Sequence, residues 1–359
     1  MQILKKTNFK NLEKAKKLSP LNLIKKIEKS GLMGRGGANF STGKKFAMSY
    51  PAKYLICNAD ESEPGRFKDR FILENNPELV IEGICIAMHA LGAKKCFIYL
   101  REEYKGFREK LQKIIDEKPD YDIDIVIGAG SYICGEETAI LNSIEGKRTE
   151  SRQKPPYPSE HGLYGKKTCV NNIETLARLP LIFESNFDKD LLLFSLSGDI
   201  KKPGVYEEKQ GITIGELAKK YGATNTKAIL FCASGGVIPY DKNHILSYEA
   251  IQKTGAYFET GIIFLNKSRN IPDISRSIIQ FFNDENCGKC LPCREGNFRL
   301  LQLFQVILKR KWRKEEFEMI KDLANFIPNG SQCALGKSST IHLNTAIKYF
   351  GNEFQELTN

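Results

Sequence analysis

Long apolar runs are missing from this sequence. Stretches such as 228–233 and 261–265 fall far short of the ~20 residues that a membrane-spanning helix needs, so the chain reads as soluble. The first twenty residues are peppered with lysine and lack the apolar core of a secretory signal, which predicts a cytoplasmic location. Internal repeats are absent, and so is low-complexity sequence beyond a lysine bias, which excludes solenoid and fibrous classes. Neither a Walker loop nor a strand-to-helix G-x-G-x-x-G occurs. What is present is a globular balance: 359 residues, 41% hydrophobic and 27% charged, enough for two or three domains. Lysine and arginine outnumber aspartate and glutamate 54 to 43, for a net charge of +11. The lysines spread over amphipathic patterns at 21–30, 107–118 and 307–319, as solvated helix faces do. Nucleic acid is therefore not expected as a partner, whereas an acidic subunit or an anionic cofactor would use the same charge.

Ten cysteines without an export signal do not predict a disulfide framework. Cys57, Cys85, Cys96, Cys134, Cys169 and Cys232 stand singly in apolar or glycine-rich surroundings and read as small buried hydrophobes. Cys287, Cys290 and Cys293 form a C-x2-C-x2-C run, a spacing that chance gives in roughly 1% of chains of this composition. Three thiolates on one tight turn suit a face of a [4Fe–4S] cluster, which needs a fourth ligand. Position 297, where a compact ferredoxin would supply it, is Asn; Cys333 in GSQCALG is the only later cysteine. Structural zinc is the alternative, although zinc more often uses two well-separated cysteine pairs.

Short β-rich runs at 53–57, 95–100 and 122–127 alternate with helical patterns at 77–91 and 105–117, which predicts a parallel sheet flanked by helices. Ligands in such sheets lie at the carboxyl ends of the strands. The third strand enters a glycine-rich segment, 128–135, before a helix at 136–144. Pro155, Pro156 and Pro158 exclude regular helix there. A helix at 172–183 precedes short strands at 191–197, 204–207, 227–232 and 261–265, interrupted by a helix at 214–221. That texture describes a small α+β domain. From 275 the pattern is helical almost to the end, with Trp312 among the aromatics at helical spacing, and a bundle is expected.

Four further motifs are ambiguous singly. GRGGANFSTG (34–43) is a phosphate cradle or a flexible loop. NADESEPG (58–65) can accept hydrogen bonds from sugar hydroxyls and ring N–H groups, or be a solvated acidic turn. GEET (135–138) puts two carboxylates in a first helical turn, where the dipole favours them in any case. NNIET (171–175) has the pattern of an N-cap.

Taken in order, GRGGANFSTGKKF, NADESEPGRFKDR, GAGSYICGEETAILNSIEG, KPPYP, VNNIETLA, CGKCLPCREG and CALG resemble the NADH- and FMN-binding flavoprotein subunit of respiratory complex I, NADH:quinone oxidoreductase. The resemblance runs from about residue 30 to about 336. The same core occurs in the diaphorase subunits of NAD-dependent hydrogenases and formate dehydrogenases, which often carry extra thioredoxin-like or ferredoxin domains for which this chain has no room. The resemblance implies an α/β architecture: a Rossmann-like FMN/NADH domain over 1–189, a ubiquitin-like β-grasp domain over 190–270, and a helical bundle over 271–359 carrying the [4Fe–4S] cluster on Cys287, Cys290, Cys293 and Cys333. It places FMN on Gly34, Arg35, Gly36, Gly37, Lys45, Asn58, Asp60, Glu61, Gly135, Glu136, Asn171, Asn172 and Thr175. It places NADH on Phe40, Phe46, Glu63, Tyr132, Glu137 and Tyr157. No side chain is implied as acid or base, because the cofactor carries the hydride chemistry. Glu137 is expected to disfavour NADPH by repelling its 2′-phosphate. Implied partners are the other subunits of a redox complex, including a thioredoxin-like [2Fe–2S] subunit, with membrane contact only through the complex on its cytoplasmic side. The competing reading is a metal-stabilised, non-catalytic binding module. The chain departs from the family at Asn39-Phe40-Ser41, usually Gly-Phe-Pro, at Phe46, often Trp, and at Tyr157, usually Phe.

Overall fold

The computed structural model describes residues 1–307 and 313–355, and Trp312 lies outside them. The chain forms two compact units, residues 1–62 with 67–191, and residues 63–66 with 192 onward.

In the first unit, four parallel strands β1 (Tyr54–Ala59), β2 (Lys95–Leu100), β3 (Ile123–Ile127) and β4 (Thr168–Asn172) lie in the order β3-β2-β1-β4. Tyr54 is in register with Lys95 on one side and Thr168 on the other. The helix Pro77–Leu91 has 13 of its 15 residues buried, which explains its near-continuous apolar sequence. Pro77 starts it, and Gly92, at φ 64°, stops it in the left-handed conformation glycine adopts without cost. Gly83 is required by close packing: a Cβ there would lie 2.0 Å from the Leu176 carbonyl. Buried Glu82 accepts the N–H groups of Asn11 and Leu12, capping the helix Lys10–Lys16 from a distant part of the chain.

The second unit has a five-stranded mixed sheet, β5 (Leu191–Gly198), β6 (Gly204–Lys209), β7 (Thr226–Phe231), β8 (Val237–Pro239) and β9 (Gly261–Asn266), in the order β6-β5-β9-β7-β8. β5 and β9 are parallel, and β7 runs antiparallel to β8 and β9. With the helix Ile214–Tyr221 between β6 and β7, this is the β-grasp arrangement. Leu192, Phe194, Ile214, Leu217, Ile229 and Phe264 share its core. Thr213 and Glu216 form a reciprocal cap at that helix's start, and Gly222 ends it at φ 79°. Four long helices follow: Ile271–Glu285, Leu291–Ile307, Lys314–Gly330 and Ile341–Gln355. The second packs on the first and third, and the fourth closes the ring against the first and third, as in a bundle. Among the described residues no helix is long and apolar enough to cross a membrane.

Three sequence expectations are corrected here. The helix expected over 172–183 is strand β4, then Ile173–Arg178, then a 3-10 turn at Pro180–Phe183, because Pro180 cannot continue an α-helical ladder. The helix expected from 136 starts at Ala139, since Glu136 is extended and turns its carboxylate back to accept the Thr138 and Ala139 N–H groups. A single helix over 307–319 is excluded by Arg313, extended at φ −93° and ψ 149°, after which a new helix begins.

His342 is buried within the bundle, its ring stacked on Phe282. Burial pushes its imidazole down to about 3, against weak opposing pulls from the Ser275 and Ser339 backbone. Below pH ~6.5 the unfolded chain takes up a proton that the folded bundle refuses, so stability falls with pH by up to about 1.4 kcal/mol per unit until the folded value is reached. Acid unfolding of the His342→Leu protein should show a shallower loss between pH 6 and 4 than the parent; equal slopes would remove His342 as the cause.

Candidate functional site

The order β3-β2-β1-β4 puts β4 on the far side of β1 from β2, so the chain's progress across the sheet reverses at β1, the switch point outside whose carboxyl ends such sheets place their ligand crevice. Four of the sequence motifs meet there. Asn58 at the end of β1 donates its amide to the Gly135 carbonyl (2.8 Å), and its Oδ1 accepts the Asp60 N–H (3.1 Å). Asn172, the last residue of β4, caps the following helix by accepting the Glu174 N–H (2.9 Å) and donates its amide to Asp69 (2.7 Å). The Arg35 N–H donates to Thr175 Oγ1 (2.8 Å). A Cβ on Gly36 would come within 3.2 Å of Asn172 Cβ, and one on Gly135 within 3.2 Å of the Asp60 carbonyl. The glycines are thus demanded by close approach of the loops, and the backbone and short polar groups they gather are of the kind that suits a flavin mononucleotide.

The 34–40 loop is closed by the Gly34 N–H on the Phe40 carbonyl (2.8 Å). Asn39 adopts φ 47°, the left-handed conformation for which asparagine is among the better non-glycine residues. Ser41 is the N-cap of Thr42–Ser49 and accepts the Lys44 N–H (3.4 Å). Both family departures in this loop therefore suit its backbone. Asn39→Ala should lower the thermal stability by about 1 kcal/mol and weaken flavin retention, while Asn39→Gly should do neither; an Ala variant equal to the parent on both measures would refute this.

The edge of the crevice is charged. Lys154, from KPPYP, bridges Glu136 (3.2 Å) and Glu137 (2.8 Å), and Lys45 lies 3.6 Å from Glu137. Burial pushes the Glu137 carboxyl up, but Lys45 and then Lys154 hold it net below the usual carboxylate range. Lys154 is a member of this charged cluster that the sequence reading did not single out, its only signal being its place before the prolines. Phe40 and Tyr157 present half-exposed rings (47% and 50% accessible), and Tyr132 is partly exposed.

Other expected residues turn inward. Phe46 is fully buried. Arg35 is buried and its guanidinium donates to the Lys189 carbonyl (2.6 Å) and, at 3.4 Å, to the Leu191 carbonyl. Glu61 accepts the N–H groups of Asp69 (2.8 Å) and Arg70 (3.2 Å) and the Tyr104 hydroxyl (3.3 Å), capping the helix Lys68–Asn75. Asn171 is buried beside Cys169. Glu63 belongs to the second unit, where it accepts the Ser234 N–H (2.8 Å).

Beneath the crevice lies a buried charge network that no motif announced. Lys68 pairs with Asp69 and with Glu174 (3.2 Å), and Glu174 pairs with Arg178 (2.8 Å), all four with almost no accessible side chain. Burial pushes Glu174 up, but Lys68, then Arg178 and Arg35, hold it net below the usual range. Through Asp69 the network grips Asn172.

The second unit holds the other site. Cys293 and Cys333 are buried, and Cys287 and Cys290 half-buried. Burial, then Cys333, Cys290 and Cys287 in turn, push the Cys293 thiol up to about 12, so the other three thiols lie within electrostatic reach of it. Yet among the described residues no three Cys, His, Asp or Glu converge closely enough to share a single ion. Tetrahedral zinc, with Zn–S bonds of about 2.3 Å, draws its sulfurs to within about 4 Å of one another. Four thiols gathered in one region are the donor set that a [4Fe–4S] cluster requires. Gly288 turns the loop at φ 78°, and a Cβ on Gly336 would come within 3.2 Å of Cys293 Sγ. The six single cysteines are all buried; burial raises the thiol of Cys85 to about 12 and moves those of Cys57, Cys96, Cys169 and Cys232 the same way.

The model of the Nuo51 FMN-binding domain matches residues 27–181, and that of the NADH-ubiquinone oxidoreductase-F iron-sulfur binding region matches 273–357. The NADH-quinone oxidoreductase F subunit of Aquifex aeolicus is 37% identical over 99% of this chain and 90% of its own length. The chain belongs to the family of NADH-quinone oxidoreductase F subunits. The Escherichia coli member is 34% identical over 94% of this chain and 84% of its own. The family shares its core with a longer relative, the alpha subunit of the NAD-reducing hydrogenase HoxS of Cupriavidus necator, 36% identical over 94% of this chain but 61% of the relative. The crystal structure of an NAD+-reducing [NiFe]-hydrogenase in the H2-reduced state superposes with a TM-score of 0.89 at 30% identity, over 95% of this chain and 63% of that one.

Proposed function

We propose that this chain oxidises NADH in a multi-subunit NADH:quinone oxidoreductase, using FMN held in the first unit and a [4Fe–4S] cluster held by Cys287, Cys290, Cys293 and Cys333 in the second. The observation that carries this reading is the convergence of 34–37, 58–60, 135–137 and 171–175 at the β1–β4 switch point, in a chain that also gathers four thiols. Bound FMN supplies a two-electron hydride acceptor that can return its electrons singly. Asn58 and Asn172 orient it with amides fixed by Gly135 and Asp69, the glycine loop gives it backbone N–H groups, and Lys45 offsets negative charge. Phe40 and Tyr157 stack on the adenine of NADH, Tyr132 flanks it, and Lys154 with Glu137 meets its ribose. The chain is peripheral, on the cytoplasmic side, and passes electrons to partner subunits that include a thioredoxin-like [2Fe–2S] protein. The domain limits near 190 and 271 follow the same reading.

The test is an anaerobic NADH titration of the protein loaded with FMN and cluster, followed by flavin absorbance and low-temperature EPR. Flavin bleaching with a reduced-cluster signal is expected; failure to bind flavin would leave the binding-module reading. The hydrogenase likeness favours one second reading, a diaphorase in a hydrogenase complex. The identity of the copurifying subunits separates the two. Glu137→Gln should narrow the preference for NADH over NADPH about tenfold, ~1.4 kcal/mol of lost repulsion toward a 2′-phosphate. An unchanged ratio of kcat/KM values would remove that role.

A further inference from the structure

We infer that Asn297 is a positioning residue for the iron–sulfur cluster, its side-chain amide holding the Cys293 sulfur and raising the cluster's reduction potential. The inference rests on the cluster assignment above. Asn297 lies one turn after Cys293 in the helix Leu291–Ile307 and is fully buried. Its Nδ2 donates to the Cys293 carbonyl at 2.8 Å and lies 3.7 Å from Cys293 Sγ, within reach of an N–H···S hydrogen bond. An amide nitrogen carries two hydrogens, so one can serve the carbonyl while the other faces the sulfur.

This placement is costly on its own terms. Asparagine is a poor residue for a helix interior. Among the described residues Asn297 Oδ1 has no hydrogen-bond partner although it is buried, a loss that leucine, of nearly the same shape, would avoid. Gly296 beside it is packed so tightly that a Cβ would lie 2.5 Å from Ile327 Cγ1, so the segment has no freedom to turn the amide toward solvent. A thiolate that carries cluster charge is the neighbour that offsets the cost: hydrogen bonds to charged acceptors are the stronger ones, and donors to cluster sulfurs favour the reduced, more negative state.

The experiment is an EPR-monitored redox titration of the full chain loaded with its cluster, comparing the parent with Asn297→Leu. The expected result is a lower midpoint for the leucine variant, the reduced-to-oxidised ratio at a fixed potential falling several-fold, where tenfold corresponds to 59 mV for one electron. An unchanged midpoint overturns the inference, and a lowered melting temperature with an unchanged midpoint makes Asn297 merely structural. Should the variant fail to take up a cluster, pulsed EPR of the reduced parent, 15N-labelled at asparagine side-chain amides, decides: a coupled nitrogen supports the inference and its absence overturns it. A parent protein that holds no iron at all overturns the cluster assignment itself, an outcome that iron analysis separates from the others.

Discussion

Lys68→Met should destabilise the first unit by about 3–5 kcal/mol, the loss that follows when one partner of a buried ion pair is removed and the other is left uncompensated. The methionine would leave the Asp69 and Glu174 carboxylates in the interior with Arg178 as the main remaining counter-charge. The damage should reach the crevice, because Asp69 fixes the Asn172 amide and Glu174 stands between Asn172 and Thr175 in the chain. Urea unfolding and flavin retention would both fall. Lys253→Met, which breaks an exposed pair with Glu249, is the control and should move neither. A Lys68→Met protein that unfolds like the parent would show the network to be dispensable.

Cys333→Ala should abolish the cluster and spare the flavin. Cys333 stands at the N-cap of the helix Ala334–Ser338, and its sulfur is the first of the three that act on Cys293. Iron content and the reduced-cluster EPR signal are expected to vanish, while FMN binding in the first unit and its bleaching by NADH persist. Cys57→Ala, which deletes a thiol buried in β1, should leave the iron content as it was. Iron retained at parental stoichiometry in Cys333→Ala would move the fourth ligand elsewhere.

Local signals and long-range ones differed sharply in how far the sequence disclosed them. The helices at 77–91 and 214–221 have the limits expected from their residues, because Pro77 with Gly92 and Thr213 with Gly222 act within a turn of where they stand. β4 was hidden: Asn172 ends a strand and caps a helix at once, and the cap dominates the local pattern. The cysteine spacing and the glycine loop were legible as chemistry. The inward turns of Phe46, Arg35 and Glu61 were not, since an arginine in a glycine loop reads as a phosphate ligand until the carbonyls of 189 and 191 are seen to receive it. Lys68 and Glu174 are more than a hundred residues apart and meet only because β1 and β4 are neighbours.

Residues 63–66 carry a consequence for how such a chain can be inherited and dissected. They leave the first unit, supply the second with Glu63 on the Ser234 N–H and Arg66 on Glu259, and then the chain returns. No single cut therefore yields both units whole. A fragment starting at 192 would lack the carboxylate that takes up the Ser234 N–H and the cation that pairs with Glu259, and a gene fusion or exchange with its breakpoint there would strand the same four residues. The two units are coupled through chain connectivity, so exchange by recombination preserves them only when both travel together.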